Sequence, residues 1–332
     1  MKKRVAIVGA GNWSAHHIAS WQRRDDAEIT WIVRSSPERA AESARRYGVA
    51  NASADYRAVL GRDDVDIADI LLPHDMHVEA GVFALEQGKH VLLEKPLATT
   101  TAGAEALIAA AAAAGRVAMV AENWVFASVV QHAKSVIASG AIGRPYLVRS
   151  ATDLDVRHMF RGNSWRNDAA HMGGGILMDG GTHNISVLRH LLGEIAEVSA
   201  MTGCFTYPDA APLDDTAAAL MRFESGALGV LTTTLGAQVH RPHTAFTVLG
   251  TEGTVAFDTH DGSVLLSKSG SRTETVLADA SRGFNEQVAH FLDCIAHGRT
   301  PITSFSDQLA SLRTVLAAYE TAGIHRAAHV AA

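Results

Sequence analysis

Short apolar runs alternate with mixed stretches over the first third of the chain. The runs are RVAIVG (4–9), EITWIV (28–33), IADILL (67–72), HVLLE (90–94) and VAMVA (117–121). Their length and β-branched content predict buried strands. Between them, residues 15–24, 37–48, 76–88 and 101–115 read as helices. The last three stop at Gly48, Gly88 and Gly115, and Thr100 or Thr101 can cap the alanine-rich one. Strands that are apolar throughout and separated by helices predict a doubly wound parallel sheet covered on both faces.

Beyond residue 122 the spacing changes. A helix near 126–139 stops at Gly140, and longer strand-like runs follow: YLVRSATDLDV, TAAALMRF, ALGVLTTTLG, HTAFTVLG, TVAFD and SVLLS. FESGAL reads as a hairpin turn. Two helices, near 283–297 and 305–323, close the chain. This predicts an α+β domain with a large, open, mostly antiparallel sheet. The expected division is 1–122 and 123–332, with the final helix free to pack back on the first domain.

Composition narrows the partners. The formal charge is −6 with Lys and Arg scattered over 332 residues, so no basic stripe offers itself to nucleic acid. The alanine-rich stretch 102–114 breaks at Gly115 and Arg116, too short to span a bilayer. The apolar part of MKKRVAIVGAGNW is too short for a signal peptide. Cys204 and Cys294 lie far apart without CxxC spacing, which suits a reducing compartment. A cytoplasmic protein is expected.

Chemistry concentrates at strand ends. VAIVGAGNWS places Gly9 and Gly11 between the first strand and its helix. Gly9 permits the tight turn, Gly11 lets backbone approach a pyrophosphate, and Ser14 stands where a third glycine is usual. In an open parallel sheet, ligands bind beyond the carboxyl ends of the strands. The segments reaching that edge give the expected dinucleotide set: Gly9, Gly11, Asn12 and Trp13; Arg34, Ser35, Ser36 and Arg39; Leu72, Pro73, His74 and His77; Glu94, Lys95 and Pro96. NAD-preferring domains carry an acid at the end of the second strand. Here Arg34 occupies that place, and a guanidinium matches a 2′-phosphate. NADP(H) is therefore expected over NAD(H).

LLEKPLATT (92–100) ends a core strand with Glu94 and Lys95 side by side, then Pro96, which cannot extend a sheet. A solvated surface pair is the plain alternative. In GGGILMDGGTHNISVLRHLLG (173–193), Asp179 and His183 are four apart. A helix starting near Gly180 would put both on one face of its first turn, with Asp179 as an N-cap in the plainest reading. Hydride removal from a secondary alcohol needs a base for the hydroxyl proton, and histidine beside a carboxylate suits that task. Metal is not expected: His74/His77 and His240/His243 are the best-spaced pairs, and two cysteines cannot supply a cysteine-rich site. No tyrosine has lysine four residues on, which excludes the Tyr-x-x-x-Lys dehydrogenases.

VGAGNWSAHH, GKHVLLEKPLA, GAIGRP (140–145), WRNDAAHMGGGILMDGGTH (165–183) and LGTEGTVAFD (249–258) occur in one order along the chain. In this the chain resembles the glucose–fructose oxidoreductase/inositol dehydrogenase/rhizopine-catabolism (Gfo/Idh/MocA) oxidoreductases. The resemblance implies an N-terminal Rossmann domain and a C-terminal substrate domain whose open sheet forms homodimers or homotetramers. It implies Lys95, Asp179 and His183 as the catalytic set, and a cis peptide before Pro96. It also implies a sugar, sugar derivative or cyclitol as substrate. Asn123, His158, Arg161, Trp165 and Arg166 join the catalytic three as candidate substrate contacts, with Asn184 nearby. Leu72 replaces a usual threonine, and AENWVFASVV lacks a usual proline, so the substrate side departs from the family. The alternative reading is a nicotinamide sensor or scaffold without catalysis.

Overall fold

The computed structural model describes residues 2–11, 13–160, 164–207, 213–239, 243–277 and 280–324. The chain divides into two units, Met1–Ala127 with Ser281–Leu309, and Ser128–Ala280 with Ala310–Ala332.

In the first unit the strands are β1 (Lys3–Val8), β2 (Ala27–Val33), β3 (Asn51–Ser53), β4 (Ile67–Ile70), β5 (His90–Glu94) and β6 (Ala118–Ala121). Among the described residues they form one sheet in the order β3-β2-β1-β4-β5-β6, parallel at every pairing. The helices are α1 (Ser14–Gln22), α2 (Pro37–Tyr47), α3 (Tyr56–Leu60), α4 (His77–Glu86), α5 (Thr101–Ala114) and α6 (Asn123–Phe126). Edge strand β3 and one-turn α3 were not expected; NAS and YRAVL are too short to show a period. Ser36 caps α2 with Pro37 at its first position, Thr100 rather than Thr101 caps α5, and Gly48 and Gly115 close both helices at φ +68 and +59.

The core of this unit takes in Val5, Ile7, Ile18, Trp21, Ile32, Ile67 and Leu92, together with Val125 and Phe126 of α6. Val288, Phe291 and Leu292 of a late helix, α11 below, belong to it as well. Each such buried side chain stabilises by about 1.5–3 kcal/mol. That explains why the first unit runs past the expected 122/123 boundary to Ala127 and takes in 281–309.

The second unit contains α7 (Ser128–Ala138), β7 (Pro145–Asp153), α8 (Ala169–Met172), α9 (Ile176–Asp179), α10 (Gly181–Leu192), β8 (Ile195–Gly203), β9 (Thr216–Phe223), β10 (Leu228–Thr234), β11 (His243–Gly250), β12 (Thr254–Asp258), β13 (Ser263–Lys268) and β14 (Ser271–Val276). Then come α11 (Phe284–His297) of the first unit and α12 (Phe305–Ile324), which belongs to the second from Ala310 onward. The described strands form a sheet ordered β14-β13-β12-β11-β7-β10-β9-β8. Every pairing is antiparallel except β7 with β10. Period-two burial along β9 shows two different faces: Ala217, Ala219, Met221 and Phe223 are buried, while Ala218, Leu220 and Arg222 are exposed. Helices α7, α9 and α10 pack against the sheet. Among the described residues, no helix is long and apolar enough to cross a membrane.

Candidate functional site

The order of the parallel sheet reverses at β1 and β4, and Gly9 follows β1 at this switch point. Leu71 N–H donates to Val8 O at 2.7 Å, which brings the chain after β4 across the end of β1. Gly9 has φ +96, and a Cβ there would lie 2.5 Å from Leu71 O. Only glycine suits that position. Gly11 is exposed, and a Cβ on it would meet nothing closer than 3.9 Å. Ser14 Oγ donates to Gly11 O at 2.6 Å, closing the turn onto the start of α1. An open, glycine-lined turn at a helix start suits a dinucleotide pyrophosphate. Trp13 lies edge-on to His16 and Phe284.

At the end of β2 no acid occupies 34–37. Arg34 donates to Ser43 Oγ at 3.1 Å, Arg39 donates to Ser35 Oγ at 3.5 Å, and Ser36 accepts from the Arg39 N–H at 3.3 Å. Glu38, the first acid on α2, is held below the usual carboxylate range by backbone N–H and Ser36 hydrogen bonds.

Beyond β5 the Lys95–Pro96 peptide is cis. The turn is held from two sides by buried histidines. His77 Nδ1 lies 2.8 Å from Pro96 O and its Nε2 3.0 Å from Leu72 O, so the ring bridges the loops after β4 and β5. Burial, then the neighbouring His74, pushes its pKa down to about 4, so near pH 7 the neutral ring carries one N–H and donates to only one of these two carbonyls. On the other side the Lys95 N–H donates to Glu94 Oε2 at 3.1 Å. Glu94 Oε1 faces His17 Nε2 at 3.0 Å, and His17 Nδ1 faces Asp69 at 3.0 and 3.1 Å. Trp21 Nε1–H donates to Asp69 Oδ2 at 2.7 Å. Burial works against a charge on His17, but Asp69 and Glu94 prevail and raise its pKa to about 10.

The second unit builds its own cluster. Asp214 accepts from Gly175 N–H and Leu177 N–H, each at 2.9 Å, and from the Tyr319 hydroxyl at 2.7 Å. Tyr319 Oη accepts from Gly175 N–H at 2.9 Å and Met178 N–H at 3.2 Å. A Cβ at Gly175 would overlap the Asp214 carbonyl oxygen. Burial raises the Asp214 carboxyl pKa; burial and that carboxylate together push the Tyr319 phenol up, so it stays a donor. This anchor fixes the start of α9. Gly180, between α9 and α10, keeps helical angles (φ −98, ψ −45), so Asp179 and His183 lie i, i+4 along a nearly continuous turn.

Asp179 is not the side-chain cap of α10, which has none. Its carboxylate instead accepts from Arg166 Nε at 3.2 Å, and the Arg166 guanidinium lies over the Trp165 ring at 4.3 Å. The cap reading fails because the helix effectively begins earlier, at Ile176. Asp179 and His183 are 7% and 6% exposed, so both are buried. Asn184 is fully buried and donates to Ser150 Oγ at 2.6 Å and Thr152 Oγ1 at 2.9 Å, pinning α10 to β7. His158 is exposed. In the first unit, Asn123 is buried and donates to Arg282 O at 2.7 Å. Asn12, Arg161 and His240 lie outside the described residues.

Sequence reasoning missed His17, Trp21, Asp69, Asp214 and Tyr319. Two signals pointed to the first three. Asp69 is a lone acid inside IADILL, a run predicted to be buried on both faces, and a buried charge needs a partner. Trp13, His17 and Trp21 recur every four residues, one helical stripe. Nothing local in the sequence singles out Asp214 or Tyr319, which are 105 residues apart.

The family description "Oxidoreductase family, NAD-binding Rossmann fold" matches residues 3–122, and "GFO/IDH/MocA C-terminal domain" matches 130–256. Levoglucosan dehydrogenase of Pseudarthrobacter phenanthrenivorans is 33% identical over 256 residues, 68% of this chain and 64% of that one. D-apiose dehydrogenase of Paraburkholderia graminis is 29% identical over 337 residues, 96% of this chain and 87% of that one. The solved complex of levoglucosan dehydrogenase with NADH and levoglucosan matches at TM-score 0.91 and 26% identity, over 98% of both chains. With an N-terminal and a C-terminal family domain both matched in order, the chain belongs to the Gfo/Idh/MocA family of oxidoreductases.

Proposed function

We propose that this chain transfers hydride between a nicotinamide dinucleotide and a secondary alcohol or ketone carbon of a sugar, sugar derivative or cyclitol. The observation that carries the reading is the Glu94–Lys95–Pro96 turn at the carboxyl edge of the sheet, gripped by two buried histidines beside the switch-point glycines. The sugar dehydrogenases named above support the substrate class. When bound, the nicotinamide supplies the hydride acceptor or donor. Lys95 holds the reacting oxygen. His183, with Asp179 four residues before it, takes the hydroxyl proton in oxidation and returns it in reduction. Arg166 orients the Asp179 carboxylate through the 3.2 Å bond. The test is a screen of sugars, cyclitols and their keto forms with both cofactors. A protein that binds dinucleotide but turns over none of them fits the sensor reading instead.

NADP(H) is the preferred cofactor in this reading. Arg34, Ser35, Ser36 and Arg39 surround the end of β2 and the N-terminus of α2, donors suited to a 2′-phosphate. The levoglucosan dehydrogenase complex holds NADH, so NAD(H) is the competing outcome. kcat/KM with NADP(H) is expected to exceed that with NAD(H) by about tenfold or more, and Arg34→Asp to erase most of the difference, as a bidentate charge-assisted contact is lost. A parent enzyme that works better with NAD(H) sinks this assignment.

The chain also associates as a homodimer or homotetramer through the face of the second-unit sheet that carries Met201, Leu220 and Leu228, which are 58%, 63% and 46% exposed. Exposed apolar side chains clustered on one sheet face mark an association surface. Leu220→Arg is expected to lower the mass seen by light scattering; an unchanged mass, or a monomeric parent, removes this face from assembly.

A further inference from the structure

His17 is fully buried on α1, one residue past His16 and one turn before Trp21. Both of its ring nitrogens face carboxylates: Nδ1 faces Asp69 and Nε2 faces Glu94. With Asp69 and Glu94 both ionised, each carboxylate only accepts, so each nitrogen donates, and a ring with two N–H groups is an imidazolium. The trio is then two carboxylates and one cation. The second oxygens are also used: Asp69 Oδ2 takes the Trp21 indole N–H at 2.7 Å, and Glu94 Oε2 takes the Lys95 backbone N–H at 3.1 Å. A continuous chain of donors and acceptors therefore runs from α1 through β4 to β5 and ends on the amide of Lys95.

We propose that His17 is a positioning residue for Lys95: it fixes the Glu94 carboxylate, and through it the backbone from which the Lys95 side chain departs. The proposal rests on the reading of Lys95 as a catalytic residue given above. Stability alone is a weak reason for such a network, because apolar side chains of similar volume commonly match or exceed a buried ion pair. What apolar packing cannot do is orient a carboxylate against one chosen amide. The opposite side of the same turn is also tied, by His77 at Pro96 O. Phe284 lies edge-on to His17 at 6.1 Å and stacks on His16 at 4.7 Å, helping to cover α1. The position of the proton agrees with the geometry: the two carboxylates raise the imidazole pKa to about 10 against the pull of burial.

The experiment is a double-mutant cycle of His17→Gln and Glu94→Gln, with Lys95→Ala assayed alongside. His17→Gln is expected to lower kcat about tenfold or more, since small misplacements of a reacting group are costly, while dinucleotide Kd and substrate KM stay within about threefold. In the Glu94→Gln background, the same change is expected to cost less than about threefold, because the route to Lys95 is already cut. Equal cost in both backgrounds, or no cost in the first, overturns the proposal. A second measurement needs no variant and no cofactor: ring nitrogen NMR of the intact protein is expected to show His17 doubly protonated at pH 8.5. A neutral tautomer there overturns the proposal even if His17→Gln does not fold. Turnover retained by Lys95→Ala removes the catalytic role of Lys95; turnover lost there, with additive His17 and Glu94 effects, removes only the role of His17.

Discussion

Lys95→Ala is expected to lower kcat by about 10²-fold or more while the protein folds and binds dinucleotide as before, the scale for losing a group that holds or moves charge at the reacting oxygen. The side chain is half-buried at the end of β5, outside the apolar core of the first unit, so its loss opens no core cavity. The turn itself is held by other groups. Glu94 accepts the residue-95 backbone N–H, which alanine keeps, and His77 bridges Pro96 O and Leu72 O. Lys95→Arg keeps the charge but replaces a compact ammonium by a wide planar fork, and is expected to recover only part of the rate. The measurements are kcat, dinucleotide Kd by fluorescence, and Tm. A kcat within a few-fold of the parent removes Lys95 from the chemistry.

His183→Ala is expected to lower kcat by roughly 10²-fold and to take away one limb of the pH–rate profile, as for loss of a general base. The helix should survive. Asn184, the next residue, stays tied to Ser150 and Thr152, and the Asp214–Tyr319 anchor holds the start of α9. Asp179→Asn is expected to cost less, about tenfold, because an amide oxygen still accepts from Arg166 Nε while the charge beside His183 is gone. Far-UV circular dichroism checks the helix, and kcat against pH checks the role. A His183→Ala profile with both limbs intact would assign the proton transfer to Lys95.

Much of the first unit was legible because its signals are local. Five apolar runs became β1, β2, β4, β5 and β6 with their helices between them, and the glycines ended the helices they were expected to end. The three-residue β3 was not legible, since a polar triplet has no period to read. In the second unit the long strand-like runs became β7, β9, β10, β11, β12 and β13, and FESGAL became the β9–β10 turn. Their order in the sheet was not legible. β7 lies between β10 and β11, distant in sequence, because pairing depends on which faces bury together rather than on neighbouring residues.

The sequence by itself determined the fold class, the switch-point glycines, the Glu94–Lys95–Pro96 turn and the four-residue spacing of Asp179 and His183. Each depends on residue type at short range, where backbone geometry converts spacing directly into position. Only the tertiary structure decided that Ser281–Leu309 joins the first unit, that Asp179 is taken by Arg166, and that His17 rather than solvent faces Glu94. Those outcomes depend on groups far apart in the chain: His17 and Glu94 are 77 residues apart, and Asn123 and Arg282 are 159 apart. They follow from a requirement no local window can show: a polar group taken out of water must find a partner wherever the folded chain brings one.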